Sequence, residues 1–89
     1  MQSDIMFEVY RESGYDRRFR VCYFTELHEG NRDAELERCL AGETLLAGYI
    51  ARDARAEARA LITSALRRLN DGELIPSAEL ELQLRPHMV

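Results

Sequence analysis

Lysine is absent from this 89-residue chain, and all twelve of its basic residues are arginine. Where arginine serves as the sole long basic residue, its presence at any one position is not by itself a sign of guanidinium chemistry. Together with abundant alanine, leucine and glutamate, the pattern points to a GC-rich bacterial coding sequence. Cysteine is scarce as well. Cys22 and Cys39 are too few for a disulfide framework and lack the spacing of metal ligands, so each is expected to be buried as a small hydrophobe. No basic stretch followed by an apolar run opens the chain, which argues against a secretory signal. No apolar run approaches the roughly 20 residues that span a bilayer. The expected compartment is the cytoplasm, with no membrane contact.

Chemical motifs are also missing. The chain has no Gly-rich phosphate loop, no HExxH and no CxxC. His28 and His87 lie far apart in sequence, in no spacing that nucleophile–base pairs or metal sites use, and His28 reads as a solvated loop residue. Asp33, Glu35 and Glu37 crowd one short segment without a loop that could cage a divalent cation, so they read as a solvated helix face. The sequence therefore offers no catalytic residue, no cofactor site and no metal site, and it implies no small-molecule ligand. A non-enzymatic protein is expected.

What is present suits one folded domain spanning residues 1–89. Hydrophobic residues make up 46% of the chain and charged residues 31%, a balance that argues against disorder. A chain of this length buries only about two thirds of the surface it exposes when unfolded. Domains this small often widen their stability margin with a second copy of themselves.

Residues 4–10 alternate, with Ile5, Phe7 and Val9 on one face and Met6, Glu8 and Tyr10 on the other. Residues 18–26 do the same, with Phe19, Val21 and Tyr23 opposed to Arg18, Arg20, Cys22 and Phe24. Both runs carry the aromatic and β-branched residues of strands. The turn-forming cluster 12–16 between them predicts a β-hairpin, with strands at about 4–10 and 18–27. Folding about Gly14 pairs Val9 with Phe19, Phe7 with Val21 and Ile5 with Tyr23. On the other face it pairs Glu8 with Arg20, Tyr10 with Arg18 and Met6 with Cys22.

A loop at 28–31 leads to Asn31 as a helix cap, and a helix at about 32–41 then buries Leu36, Cys39 and Leu40, with Gly42 as a left-handed terminator. A second helix, at about 54–70, starts from Asp53 and presents Ala58, Leu61, Ile62, Ala65, Leu66 and Leu69 as its apolar stripe. Residues 70–72 end it. Two weaker patterns remain, near 44–51 and 79–85. Leu45, Leu46, Tyr49 and Ile50 also fit a helix face, but Gly42 and Gly48 favour a short strand. Ser77-Ala78-Glu79 resembles a helix start, yet Leu80, Leu82 and Leu84 alternate with polar residues and favour another short strand. The predicted fold is a two-layer α+β domain: an antiparallel sheet built on the N-terminal hairpin, with both helices packed on its Ile5/Phe7/Val9/Phe19/Val21/Tyr23 face.

Charge is unevenly placed. Residues 26–43 hold six carboxylates against two arginines, a net −4, and residues 44–70 hold five arginines against Asp53 and Glu57, a net +3. The simplest arrangement sets the acidic first helix beside the basic second one, where such pairs orient more than they stabilise. The second face of the hairpin is more distinctive. Met6, Tyr10, Cys22 and Phe24 make it too apolar to stay fully wet, and Tyr, Phe, Met and Arg are the residues enriched at protein interfaces. Met6, Tyr10, Tyr15, Arg17, Arg18, Arg20 and Phe24 are therefore the candidate partner-binding surface, for another protein or for a second copy in a homodimer. The alternative is a single-stranded nucleic acid stacking and pairing on Tyr15, Arg17, Arg18 and Arg20. The net charge of −4 argues against it, since a nucleic-acid binder should show a basic excess.

Overall fold

The computed structural model describes residues 4–14, 16–24 and 41–89. Among these residues the chain forms an α+β fold of three strands and two helices. Strands β1 (Ile5–Arg11), β2 (Phe19–Tyr23) and β3 (Glu43–Ile50) are followed by helices α1 (Arg55–Asn70) and α2 (Ser77–Leu84). Short 3-10 turns at Arg52–Ala54 and Arg85–His87 precede α1 and follow α2. The strands form one antiparallel sheet in the order β2-β1-β3, so the N-terminal strand is its centre.

β1 earns the central place through its alternation. Ile5, Phe7 and Val9 all point to one face and are fully buried there. Opposite them lies the stripe Ala58, Ile62, Ala65 and Leu69 of α1, spaced at the three- and four-residue steps of a helix face. The two alanines keep this stripe shallow, and the helix comes nearest the sheet at β2. Ile75, Leu80 and Leu84 complete the core, and Phe19, Val21, Tyr23, Leu45 and Leu46 pack at its margin.

The strand near 44–51 and the helix ending at residue 70 agree with the sequence reading, and the hairpin forms with its faces as expected. Its register differs. Phe7 pairs with Tyr23, Val9 with Val21 and Arg11 with Phe19, while Glu8 pairs with Cys22 and Tyr10 with Arg20. The shift is two residues, which preserves every side chain's face and changes only its partner. The turn is wider than one folded about Gly14: the Glu12 N–H donates to the Arg18 carbonyl at 2.8 Å and closes it. β3 pairs with β1 through a bulge, since Val9 faces Leu46 but Tyr10 faces Thr44. Leu45 is the extra residue, which is how two successive leucines both reach the core side.

Other expectations are corrected. Residues 79–85 are not a strand: Ser77–Leu84 is helical. Leu80 and Leu84 are compatible with both periods, and Leu82 decides between them, being 64% exposed where a strand face would bury it. Ala, Glu, Leu and Gln are also strong helix formers, and the Pro76 carbonyl accepts the first amide bonds, from Glu79 and Leu80. Asp53 does not cap α1, because it lies inside the preceding 3-10 turn and Ala54 holds the cap position. Gly42 is not a left-handed terminator, since Gly14 and Gly72 are the glycines with positive φ among the described residues. Glycine is needed at position 42 for closeness: a Cβ there would stand 2.5 Å from the Arg11 carbonyl oxygen. Residues 32–40 of the helix expected at about 32–41, with Asn31, Leu36, Cys39, Leu40 and its acidic face, lie outside the described residues, as does His28.

The end of α1 follows the sequence closely. Gly72, at φ +98°, allows its own N–H to reach the Leu69 carbonyl at 3.1 Å, and the Glu73 N–H to reach the Arg68 carbonyl at 3.0 Å. The Arg68 guanidinium then grips the Glu73 carboxylate, with Nε–Oε2 at 2.7 Å and Nη2–Oε1 at 3.3 Å. That hydrogen bond, and the charge behind it, hold the Glu73 carboxyl below its ordinary range.

Two outcomes are expected. Gly42→Ala forces a backbone shift against Arg11 and lowers unfolding free energy by about 1–3 kcal/mol in urea titration. Gly48→Ala, whose Cβ would press only on the flexible tip of Met88, costs less than about 1 kcal/mol. Because the Glu73 pKa is depressed by folding, its contribution is complete above the ordinary glutamate range and is lost as pH falls through it. Glu73→Gln should therefore lower stability slightly above that range and leave it unchanged well below, flattening the acid limb of a stability–pH profile by the small amount an exposed pair supplies.

Candidate protein-binding surfaces

Alternation sends the second set of sheet residues to the face opposite α1. At its β2 end this face is already closed. Tyr10 is 0% exposed within a single chain, Cys22 is buried beside it and Phe24 packs on both. Tyr10 therefore cannot touch a partner directly, and Phe24 offers only part of its ring. Tyr15 lies outside the described residues, and Arg17, Arg18 and Arg20 are exposed.

The open part of the face lies at the β3 end. Met6 pairs with Tyr49 across β1 and β3. Met88 bridges Ile50 in antiparallel fashion, and the Val89 N–H donates to the Tyr49 carbonyl at 2.9 Å, which sets Val89 beside Tyr49 on the same face. Met6, Tyr49 and Val89 thus form one row across the sheet, 36%, 51% and 73% exposed. Tyr49 and Val89 escaped the sequence reading. The Leu45-Leu46 pair breaks the alternation of β3 and hides which face Tyr49 takes, and nothing local announces that Val89 returns to the sheet.

The tip of the hairpin is tied down by its own charges. Arg17 holds φ +48°, a left-handed conformation uncommon for a residue with a Cβ. Its carbonyl accepts the Arg11 Nε–H at 3.1 Å, and its guanidinium lies 3.8 Å from the Glu43 carboxylate. Arg20, which no longer faces Glu8, donates to Glu12 Oε1 at 2.8 Å. Two of the three hairpin arginines proposed to grip a polyanion are thus engaged with carboxylates of the chain.

The third surface is the outer edge of β2. The Glu12–Arg18 bond fixes the parity of the ladder, so Phe19, Val21 and Tyr23 direct their amide and carbonyl groups away from β1. At Phe19 this edge is occupied by Asn70, the last residue of α1. The Asn70 Oδ1 accepts the Phe19 N–H at 2.8 Å, and its Nδ2 donates to the Phe19 carbonyl at 3.1 Å. One side-chain amide therefore stands where a neighbouring strand's peptide would. At the other end of β2, the Arg59 guanidinium lies 4.6 Å from the centre of the Tyr23 ring. Between these two contacts a groove of about 730 Å³ separates β2 from α1, lined by Arg18, Phe19, Arg20 and Val21 on one side and Thr63, Leu66, Arg67 and Asn70 on the other, with Asp71 at the Asn70 end.

Among the described residues no group of three or more His, Cys, Asp or Glu side chains is placed to hold a metal ion. No helix among them is long and apolar enough to cross a membrane. Comparison with known proteins finds no matching family model, no matching curated protein and no matching solved structure.

Asn70→Ala removes both bonds to Phe19. It should lower stability by about 1–2 kcal/mol and speed hydrogen exchange at the Phe19 amide, with α1 helicity unchanged by circular dichroism.

Proposed function

We propose that the protein is a non-enzymatic interaction module that pairs with a second copy of itself through the open end of the outer sheet face. The observation carrying this reading is the exposed Met6–Tyr49–Val89 row, three large apolar side chains contiguous across the sheet. A two-fold axis crossing the row between Met6 and Tyr49 sets Met6 of one copy against Tyr49 of the other, a sulfur–aromatic contact that is favourable at close range. Methionine and tyrosine are enriched at interfaces of this kind. The same face carries Glu8 and Arg20, so it is mixed in sign and compatible with its own image. Size favours the arrangement too, since a sheet covered on one side by α1 and α2 gains core when the other side closes.

Nucleic-acid binding is the weaker reading. The Arg20–Glu12 and Arg17–Glu43 pairs offset the basic row that it depends on, and the chain's net charge of −4 repels a polyanion.

Light-scattering chromatography tests the proposal. The wild-type chain should elute at twice its 10.3 kDa mass at high concentration, and Tyr49→Glu at the monomer mass with an unchanged circular dichroism spectrum. Tyr49 is half exposed, so the variant should fold. A wild-type protein that stays monomeric at millimolar concentration removes the self-association reading.

A further inference from the structure

The groove beside β2 has features that the outer face does not use. Its wall is a strand edge. Val21 directs an N–H and a C=O into the open, and neither finds a partner among the described residues. Two residues earlier, at Phe19, the same edge already binds an amide through both groups, because the Asn70 carboxamide occupies that position. The edge is thus shaped to accept peptide geometry, and the next site along it is open.

The walls define what else an occupant must carry. Phe19, Val21 and Leu66 supply apolar surface near the core, and all three pack at its margin. Arg18 lies on the sheet side of the groove and Arg67 on the helix side. Neither makes an ion pair among the described residues, unlike the engaged Arg17, Arg20 and Arg68. Arg18 and the acidic Asp71 sit at the end that Asn70 closes, Arg67 lies one turn earlier on α1, and the lining as a whole carries more guanidinium than carboxylate groups. A strand laid along β2 presents alternate side chains to the two walls, so carboxylates on it meet Arg18 or Arg67 while its backbone meets Val21.

We propose that this groove binds an acidic peptide segment in extended conformation, which adds to the sheet as a fourth strand beside Val21. A peptide fits better than a nucleic acid. The edge offers one donor and one acceptor at the spacing of a neighbouring backbone. The two rings that could stack bases are partly covered, Phe19 by Arg11 at 5.2 Å and Tyr23 by Arg59 at 4.6 Å. The site is independent of the Met6–Tyr49–Val89 row, so either proposal can fail alone.

The probe is a fluorescein-labelled hexapeptide alternating glutamate and valine, followed by anisotropy at low salt. Saturable binding is expected, weakened at least about tenfold in the Arg18→Glu/Arg67→Glu double variant and reduced by added salt. The same peptide with lysine for glutamate should not bind. In ¹⁵N-labelled protein the acidic peptide should slow hydrogen exchange at the Val21 amide. Val21→Pro should abolish binding with the β1–β2 ladder intact, because that N–H faces away from β1. Tyr49→Glu should bind as wild type does. No binding, binding indifferent to the double variant, or binding that leaves the Val21 amide unprotected would overturn the proposal. So would tighter binding of a single-stranded oligonucleotide at the same arginines, which would make the groove a nucleic-acid site.

Discussion

The packing of α1 on β1 is the contact on which the rest of this molecule depends. Ala58, Ile62, Ala65 and Leu69 share one buried core with Ile5, Phe7 and Val9. Once that contact is made, the helix must run beside β2. Arg59 then reaches the Tyr23 ring at one end and Asn70 reaches the Phe19 backbone at the other. The hairpin register, the capped strand edge and the groove all follow from where that helix lies. A helix one turn shorter would leave Phe19 without its amide partner.

Among the described residues, a three-stranded sheet with helices on one side leaves two edges and part of one face to manage. Each edge is blunted differently. Asn70 occupies β2 at Phe19, whereas β3 is covered by the chain's own return at Met88 and Val89 and distorted by the bulge at Leu45. Bulges and local capping are established ways of preventing uncontrolled strand addition. Among the described residues, the outward peptide position at Val21 and the Met6–Tyr49–Val89 row remain open.

The legible parts of the fold were those where local pattern and tertiary demand coincide. Ile5, Phe7 and Val9 alternate because one face of β1 is buried, and the stripe of α1 recurs every three or four residues for the same reason. Asn70-Asp71-Gly72 ended the helix as read, since Gly72 adopts the left-handed backbone its sequence permits. Illegibility had equally specific causes. Leu80 and Leu84 satisfy two periods at once, so only the exposure of Leu82 separates helix from strand. Hairpin faces were readable but partners were not, because a two-residue slip leaves the alternation untouched. Of the candidate surface residues, Tyr10 proved buried, and the arginines proved to be divided between internal pairs and an open groove.

By itself, then, the sequence determined the α+β class, the buried face of the hairpin, the extent of the main helix, and the absence of recognised catalytic motifs. These are properties of short-range periodicity and residue chemistry. Only the tertiary structure decided which surfaces stay open. Asn70 and Phe19 are 51 residues apart, and Val89 meets Tyr49 across two helices, so no window along the chain contains both partners. Exposure at an edge or a face depends on what packs beside it, and that is set by the fold as a whole.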